Sequence, residues 1–136
     1  MKIYLPRILS TSPTSLPTLD KSVFYYIVHK AFNALGDSSD GLFFEIDINE
    51  LIEIIDTSNL ELVNTRSLVE ECINRLTKIK ISLVDGGFHM KVCPVNSIYL
   101  YGSIVSVGLD PVIIGYLDQG FDGNYVVYDM VNNRIV

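Results

Sequence analysis

The sequence is poor in charged residues, and poorest in cations. Charged side chains make up 19% of its 136 residues, with Lys and Arg numbering 10 against 16 Asp and Glu. The formal net charge is −6 and the pI is about 4.7. Because a dedicated nucleic-acid-binding domain normally carries a basic surface, this balance argues against simple DNA binding. A local cluster of Lys and Arg can still act within a Debye length of ~8 Å, so the positions of the cations matter more than their sum.

Cysteines and long apolar runs are also scarce. Cys72 and Cys93 lie amid apolar neighbours, which favours reduced thiols in a cytosolic protein and leaves a disulfide open. The apolar run after Lys2 is interrupted by Pro6 and Arg7 before a signal-peptide core could form. No stretch approaches the ~20 apolar residues that a membrane helix needs. We therefore expect a cytoplasmic protein that does not associate with membranes.

Catalytic and ligand-binding motifs are missing as well. The sequence has no Ser-His-Asp arrangement, paired carboxylates, phosphate-cradling glycine loop or CxxC motif. His89 and Cys93 would lie about 13 Å apart on one face of a strand, too far to share a metal. His29 has no acidic neighbour at helical spacing. We expect neither an enzyme nor a cofactor, metal or small-molecule substrate.

Apolar residues make up 49% of the sequence, which is enough for one hydrophobic core of ordinary size. We interpret residues 1–17 as an N-terminal arm and linker and residues 18–136 as a single α+β domain. Periodicity and capping residues predict helices at 19–35, 48–55, from 64 or 65 to about 76, and 112–117. Alternation and turn residues predict strands at 42–46, 79–84, 88–93, 98–101, 104–109 and 125–128, and the arm contains a short β-like run at 2–5 that favours pairing at a sheet edge.

Two local signals place the helix starts with most precision. Asp47 followed by Glu50 has the spacing of a capping box at the start of the second helix. Asp110 followed by Pro111 is a capping residue with proline in the first turn, which starts the last helix.

The order of these segments resembles the N-terminal winged-helix domain of plasmid replication initiator (Rep) proteins. The resemblance covers residues 18–119 and rests on the first amphipathic helix, on the run FEIDINELIEII at 44–55, on the helix 68–76 that passes into the strand 79–81, and on GSIVSVGLDPVIIGYL at 102–117. It implies a winged helix, ordered helix-strand-helix-helix-β-hairpin, with an additional C-terminal hairpin and a short helix. It also implies a role in plasmid or phage DNA replication or its control, through contact with duplex DNA and through dimerisation.

If the domain contacts DNA, the third helix and the hairpin after it are expected to do so. The candidate residues, which would reach phosphates or base edges, are Arg66, Arg75, Lys78, Lys80 and Lys91. The alternative is a solvated helix face, because Glu71 and Arg75 have the spacing of an i,i+4 ion pair.

A second hypothesis comes from the acidic residues on and before the second helix, namely Glu45, Asp47, Glu50, Glu53 and Asp56. They serve either helix capping and solubility or an acidic surface that binds a basic protein or mimics DNA. Tyr99 and Tyr101 project from one face of a strand and either cover the rim of the core or bind a partner. The candidate protein-binding residues are therefore Glu50, Glu53, Tyr99 and Tyr101, with a homodimer or another protein as the partner.

Overall fold

A computed structural model describes residues 1–11, 16–35, 43–58, 60, 62–118 and 125–136. The helices are α1 (Arg7–Thr11), α2 (Thr18–Leu35), α3 (Ile48–Asp56), α4 (Thr65–Leu76) and α5 (Pro111–Asp118). The strands are β1 (Lys2–Pro6), β2 (Phe43–Asp47), β3 (Ile81–Asp85), β4 (Phe88–Val92), β5 (Val95–Tyr101), β6 (Ile104–Leu109), β7 (Tyr125–Asp129) and β8 (Arg134–Ile135). The expected α+β class is confirmed, and most predicted elements lie within one or two residues of their expected bounds. The sequence did not predict α1 or β8.

The strands form three antiparallel sheets with the orders β1-β7-β8, β2-β6-β5 and β3-β4. The β3–β4 hairpin turns at Gly86 and Gly87, as its Asp-Gly-Gly sequence predicts. The β3–β4 hairpin, which follows α4 directly, was expected to be the hairpin of the winged helix, but it forms a sheet of its own. The strand before α3 pairs instead with the second hairpin, with Glu45 opposite Ser106.

The core is built around α2. Every residue of α2 from Val23 to Val28 is at most 1% exposed, so this helix is buried on all sides at its centre. It packs against α4, β1, β2 and α5. Phe24, Leu51, Cys72 and Leu76 are fully buried in the same apolar cluster, as expected from their helical spacing.

Part of the N-terminal arm has regular structure, with β1 at the β-like run expected for residues 2–5. Residues 2–11 form β1 and α1, and Ile3, Leu5 and Leu9 are completely buried. Because β1 pairs along its whole length with β7, its alternate side chains face the core. Tyr25 in α2 anchors the end of α1 by donating its hydroxyl hydrogen bond to the Ser10 carbonyl at 2.8 Å. Residues 12–15 of the expected linker lie outside the described part of the chain.

The predicted helix caps are present. The Asp47 carboxylate accepts a hydrogen bond from the Asn49 amide at 2.9 Å, and the Asp110 carboxylate accepts one from the Val112 amide at 2.8 Å. The other half of the expected capping box is replaced by a tertiary contact, since Glu50 forms an ion pair with Lys30 at 3.2 Å.

Sheet β2-β6-β5 has a close approach at its centre. A Cβ atom at Gly108 would lie 2.8 Å from Ser97 Oγ and 3.2 Å from Phe43 Cε1. Two side chains therefore close over this glycine on the outer face of the sheet, and a larger residue would displace them.

No helix within the described ranges combines the length and the apolar character needed to cross a lipid bilayer.

Candidate functional site

Arg75, one of the two predicted DNA-contacting arginines, is held by a buried carboxylate. Its Nε donates to Asp20 Oδ2 at 3.0 Å and its Nη2 to Asp20 Oδ1 at 2.8 Å, which is a bidentate pair between α4 and α2. The expected partner, Glu71, is more distant at 3.9 Å. The Asp20 side chain is 4% exposed and that of Arg75 is 48% exposed. Arg75 therefore neutralises a core anion, and only part of its guanidinium faces solvent.

The thiol of Cys72 completes this cluster. Its Sγ donates to Asp20 Oδ1 at 2.9 Å and accepts from Arg75 Nη2 at 3.2 Å. Burial disfavours the charged form of Asp20, but the hydrogen bonds from Arg75 and Cys72 outweigh it and hold the pKa of Asp20 below its ordinary value. Burial and the hydrogen bond to Asp20 raise the pKa of Cys72 to about 12. Both cysteines are free thiols, as expected.

Arg66 is also engaged by other side chains. Its Nε donates to Glu70 Oε1 at 3.1 Å and its Nη1 donates to Asn49 Oδ1 at 3.3 Å. The two arginines of α4 thus have carboxylate partners, and Glu70 and Glu71 lie on the same helix. The exposed side of α4 presents little net positive charge.

The three candidate lysines have a different environment. Lys78, Lys80 and Lys91 are exposed, and none of them has an ion-pair partner within 4.0 Å among the described residues. Lys91 lies opposite Ser82 on the outer face of the β3–β4 hairpin, and Lys80 precedes β3 at the alternating position of that face. The hairpin therefore presents a small basic surface that α4 does not.

The acidic residues around α3 divide into engaged and solvent-facing groups. Asp47 caps the helix, Asp56 accepts a hydrogen bond from the Thr65 hydroxyl at 2.7 Å, and Glu50 pairs with Lys30. Glu53 is exposed. Capping and ion pairing thus account for several of these carboxylates, while the surface as a whole stays acidic.

The outer face of sheet β2-β6-β5 carries exposed aromatic side chains. Tyr99 is 59% exposed, Tyr101 58% and Phe43 48%. The rings of Phe43 and Tyr99 are 5.7 Å apart between centroids, and the Tyr101 hydroxyl donates to Glu45 Oε1 at 3.3 Å. The tyrosines singled out in the sequence therefore lie together on an uncovered sheet face, bordered by acidic residues.

The prediction from sequence missed a second exposed face, on sheet β1-β7-β8. Lys2, Tyr4, Tyr125 and Arg134 come together there from the two ends of the described chain. The available signal was the alternation of polar Lys2 and Tyr4 with apolar Ile3 within β1, which is typical of a half-buried strand.

Within the described ranges, no group of three His, Cys, Asp or Glu side chains is arranged to hold a metal ion. His89 is exposed and His29 is partly buried on α2.

The described residues define an α+β protein with three exposed surfaces of distinct chemistry: basic on β3–β4, aromatic and acidic around β2-β6-β5, and aromatic and basic on β1-β7-β8. Searches against protein-family models and against curated proteins gave no significant match.

Proposed function

We propose that the chain is a winged-helix domain of the replication-initiator type, acting in plasmid or phage DNA replication or its control. The observation that carries the proposal is the strand order β2-β6-β5 beside α3 and α4. In a winged helix, the strand between the first two helices pairs with the returning strand of the hairpin that follows the third. Helices α2, α3 and α4, with β2, β5 and β6, have that order and that pairing. In this proposal the wing is the β5–β6 hairpin, and β3–β4 is inserted before it.

The domain is proposed to dimerise through the outer face of sheet β2-β6-β5. Exposed tyrosine and phenylalanine are enriched at protein interfaces, because they bury a large area with few rotatable bonds. Tyr99, Tyr101 and Phe43 supply such side chains.

Light scattering tests the dimer. The double variant Tyr99→Ser with Tyr101→Ser should be monomeric at concentrations at which the natural sequence is dimeric. The matched control, Tyr4→Ser with Tyr125→Ser, changes the same residue types on the other sheet and should remain dimeric. A natural sequence that is monomeric at high concentration would remove dimerisation from the proposal.

Contact with duplex DNA is proposed for the lysines of the inserted hairpin rather than for the arginines of α4. Lys78, Lys80 and Lys91 are the candidate cations without a neighbouring carboxylate partner among the described residues. If each neutralises one phosphate, log K for duplex DNA should fall with log salt concentration at a slope of about −2.7. The net charge of −6 makes weak, salt-sensitive binding the expected result.

A titration of labelled duplex DNA at low salt tests this contact. Replacing the three lysines by glutamate should abolish binding, whereas Lys2→Glu, Arg7→Glu and Arg134→Glu together, with the same change in net charge, should weaken it much less. Equal losses in the two triple variants would assign the effect to net charge. No binding by the natural sequence at low salt would remove DNA contact from the proposal.

A second candidate function is the binding of a basic protein by the acidic surface of α3. The observation that favours it is exposed Glu53 beside Glu50 and the Tyr101–Glu45 contact, since carboxylates and aromatic faces both attract cationic side chains. Calorimetry with an arginine-rich peptide tests it. Glu50→Lys with Glu53→Lys should remove the binding, and an unchanged affinity would count against this function.

A further inference from the structure

The outer face of sheet β1-β7-β8 combines exposed tyrosines with cations. Register places Lys2 opposite Asp129, and Asp129 opposite Arg134, in one row across the three strands. Tyr4 lies opposite Val127 on the same face, and Tyr125 one alternating position further along β7. We call this surface, defined by Lys2, Tyr4, Arg7, Tyr125 and Arg134, the terminal face.

Both tyrosines offer ring surface to solvent. Tyr4 is 49% exposed and Tyr125 is 39% exposed. Their ring centroids are 5.3 Å apart and their planes are inclined by 68°, an edge-to-face arrangement in which each ring supports the other. The pair is a preformed aromatic platform, because strand pairing fixes both backbones.

The charge of the terminal face is opposite to that of the protein. It holds three of the 10 lysines and arginines of a chain whose net charge is −6. Arg7 lies beside Tyr125, whose carbonyl accepts a hydrogen bond from the guanidinium at 3.4 Å. The strands place one carboxylate on this face, that of Asp129, and it accepts hydrogen bonds from the Val131 amide at 2.9 Å and from the Asn132 side chain at 2.8 Å.

A pocket opens directly beside the tyrosines. It has a volume of about 330 Å³, within the range of small-ligand sites, and is lined by Tyr4, His29, Phe32, Asn33 and Tyr125. Burial and the neighbouring Lys30 lower the pKa of His29, so its ring is neutral at pH 7 and Nε2 can accept the Asn33 amide hydrogen bond at 3.3 Å. The Asn33 side-chain amide also has a second N–H donor and a carbonyl acceptor. Together these groups can form hydrogen bonds with the donor and acceptor atoms on the edge of a nucleobase.

We propose that the terminal face binds single-stranded nucleic acid. Bases stack on Tyr4 and Tyr125, one base enters the pocket to meet Asn33, and Lys2, Arg7 and Arg134 contact phosphates. Stacking on aromatic side chains combined with cations that follow the backbone is the general chemistry of single-strand binding. A duplex does not fit this face equally well, because the faces of its bases are already covered by their neighbours. The site is separate from the lysines of β3–β4 proposed for duplex contact.

Fluorescence anisotropy with a short labelled oligothymidine tests the proposal on the full chain. Tyr4→Ala with Tyr125→Ala should weaken binding by about 5- to 140-fold for each base that loses its stack. Tyr4→Phe with Tyr125→Phe keeps the rings and should retain most of the affinity. Three phosphate contacts predict a slope of about −2 for log K against log salt concentration.

A matched control is Phe88→Ala, which removes another exposed ring, 75% exposed at the tip of β3–β4, and should leave oligothymidine binding unchanged. Since the protein has no tryptophan, its tyrosine emission is directly readable and should be quenched as bases stack. The quenching should be lost in the Tyr4→Ala, Tyr125→Ala variant.

The proposal would be overturned by no binding of the oligonucleotide at low salt, by equal losses for the tyrosine and Phe88 variants, or by binding to anionic vesicles without binding to the oligonucleotide. Testing the triple lysine variant of β3–β4 on the same oligothymidine separates the two sites. Retained binding supports the terminal face even if duplex contact fails. A complete loss would assign the single strand to the hairpin instead.

Discussion

Replacing Arg75 by glutamine removes the counter-ion of a buried carboxylate. Asp20 is almost inaccessible to solvent, and its two oxygens are occupied by the guanidinium and by Cys72. Glutamine keeps much of the length and packing of the arginine side chain but not its charge. The substitution therefore isolates the electrostatic part of the contact between α2 and α4.

The size of the effect follows from the unequal burial of the two partners. Breaking a fully buried ion pair costs about 3–5 kcal/mol, whereas exposed pairs contribute about 0–1 kcal/mol. The Asp20 side chain is 4% exposed but that of Arg75 is 48% exposed, so water screens one end of the pair. We expect Arg75→Gln to lower the free energy of unfolding by about 2–3 kcal/mol at pH 7.

The effect should depend on pH with a definite sign. In the natural protein the pKa of Asp20 lies below its unfolded value, so the pair stabilises the fold above about pH 4, and this contribution is lost as the pH falls through the folded pKa. Without Arg75, burial dominates and raises the pKa of Asp20, so the folded variant takes up a proton more readily than the unfolded chain. The deficit of the variant should therefore begin to shrink as the pH falls through the raised pKa of Asp20 in the variant, and should go on shrinking down to the lower folded pKa of the natural protein.

Urea unfolding followed by circular dichroism measures both quantities. With an m-value of about 2 kcal/mol per molar urea, the midpoint should fall by about 1–1.5 M at pH 7. The control Arg66→Gln removes an exposed i,i+4 pair and should cost at most about 0.5 kcal/mol. If the two variants lose the same stability, or if the Arg75→Gln deficit is constant from pH 7 to pH 3, the assigned role of Asp20 is wrong.

Two further predictions concern packing and thiol reactivity. Gly108→Ala should destabilise the fold by about 1–3 kcal/mol, because the added Cβ meets two side chains on the sheet. Gly115→Ala in α5 places its Cβ where nothing lies within 4 Å and should stabilise the fold by up to about 1 kcal/mol. Thermal unfolding of both variants measures the two shifts in Tm, and equal shifts would contradict the prediction. Cys93 should react with Ellman's reagent in the native protein, whereas buried Cys72, with its pKa raised to about 12, should react only after unfolding. Rapid modification of two thiols in the native state would be the contrary result.

The elements that sequence predicted best are those with local causes. Asp47 and Asp110 start helices because a carboxylate next to free backbone amides is a short-range contact. The turn at Gly86 and Gly87 needs only the conformational freedom of glycine, and Gly86 has a φ of +59°. Helix α1 was missed because its five residues are too short for a periodic signal.

The candidate sites depended more strongly on contacts between distant residues. Arg75 was expected to pair with Glu71 four residues away, but its main partner is Asp20, 55 residues away. The terminal face escaped prediction because Lys2 and Arg134 come onto one sheet face, on either side of Asp129, only when β1, β7 and β8 pair.

By itself, the sequence determined the α+β composition, the positions of most helices and strands, and the core positions of the predicted helices, since periodicity, capping and turn formation act over a few neighbouring residues. The tertiary structure decided which strands pair, which cations are neutralised and which aromatic side chains stay exposed. Those outcomes depend on the register and docking of segments far apart in the chain, where the burial of one carboxylate such as Asp20 determines what a distant arginine can do.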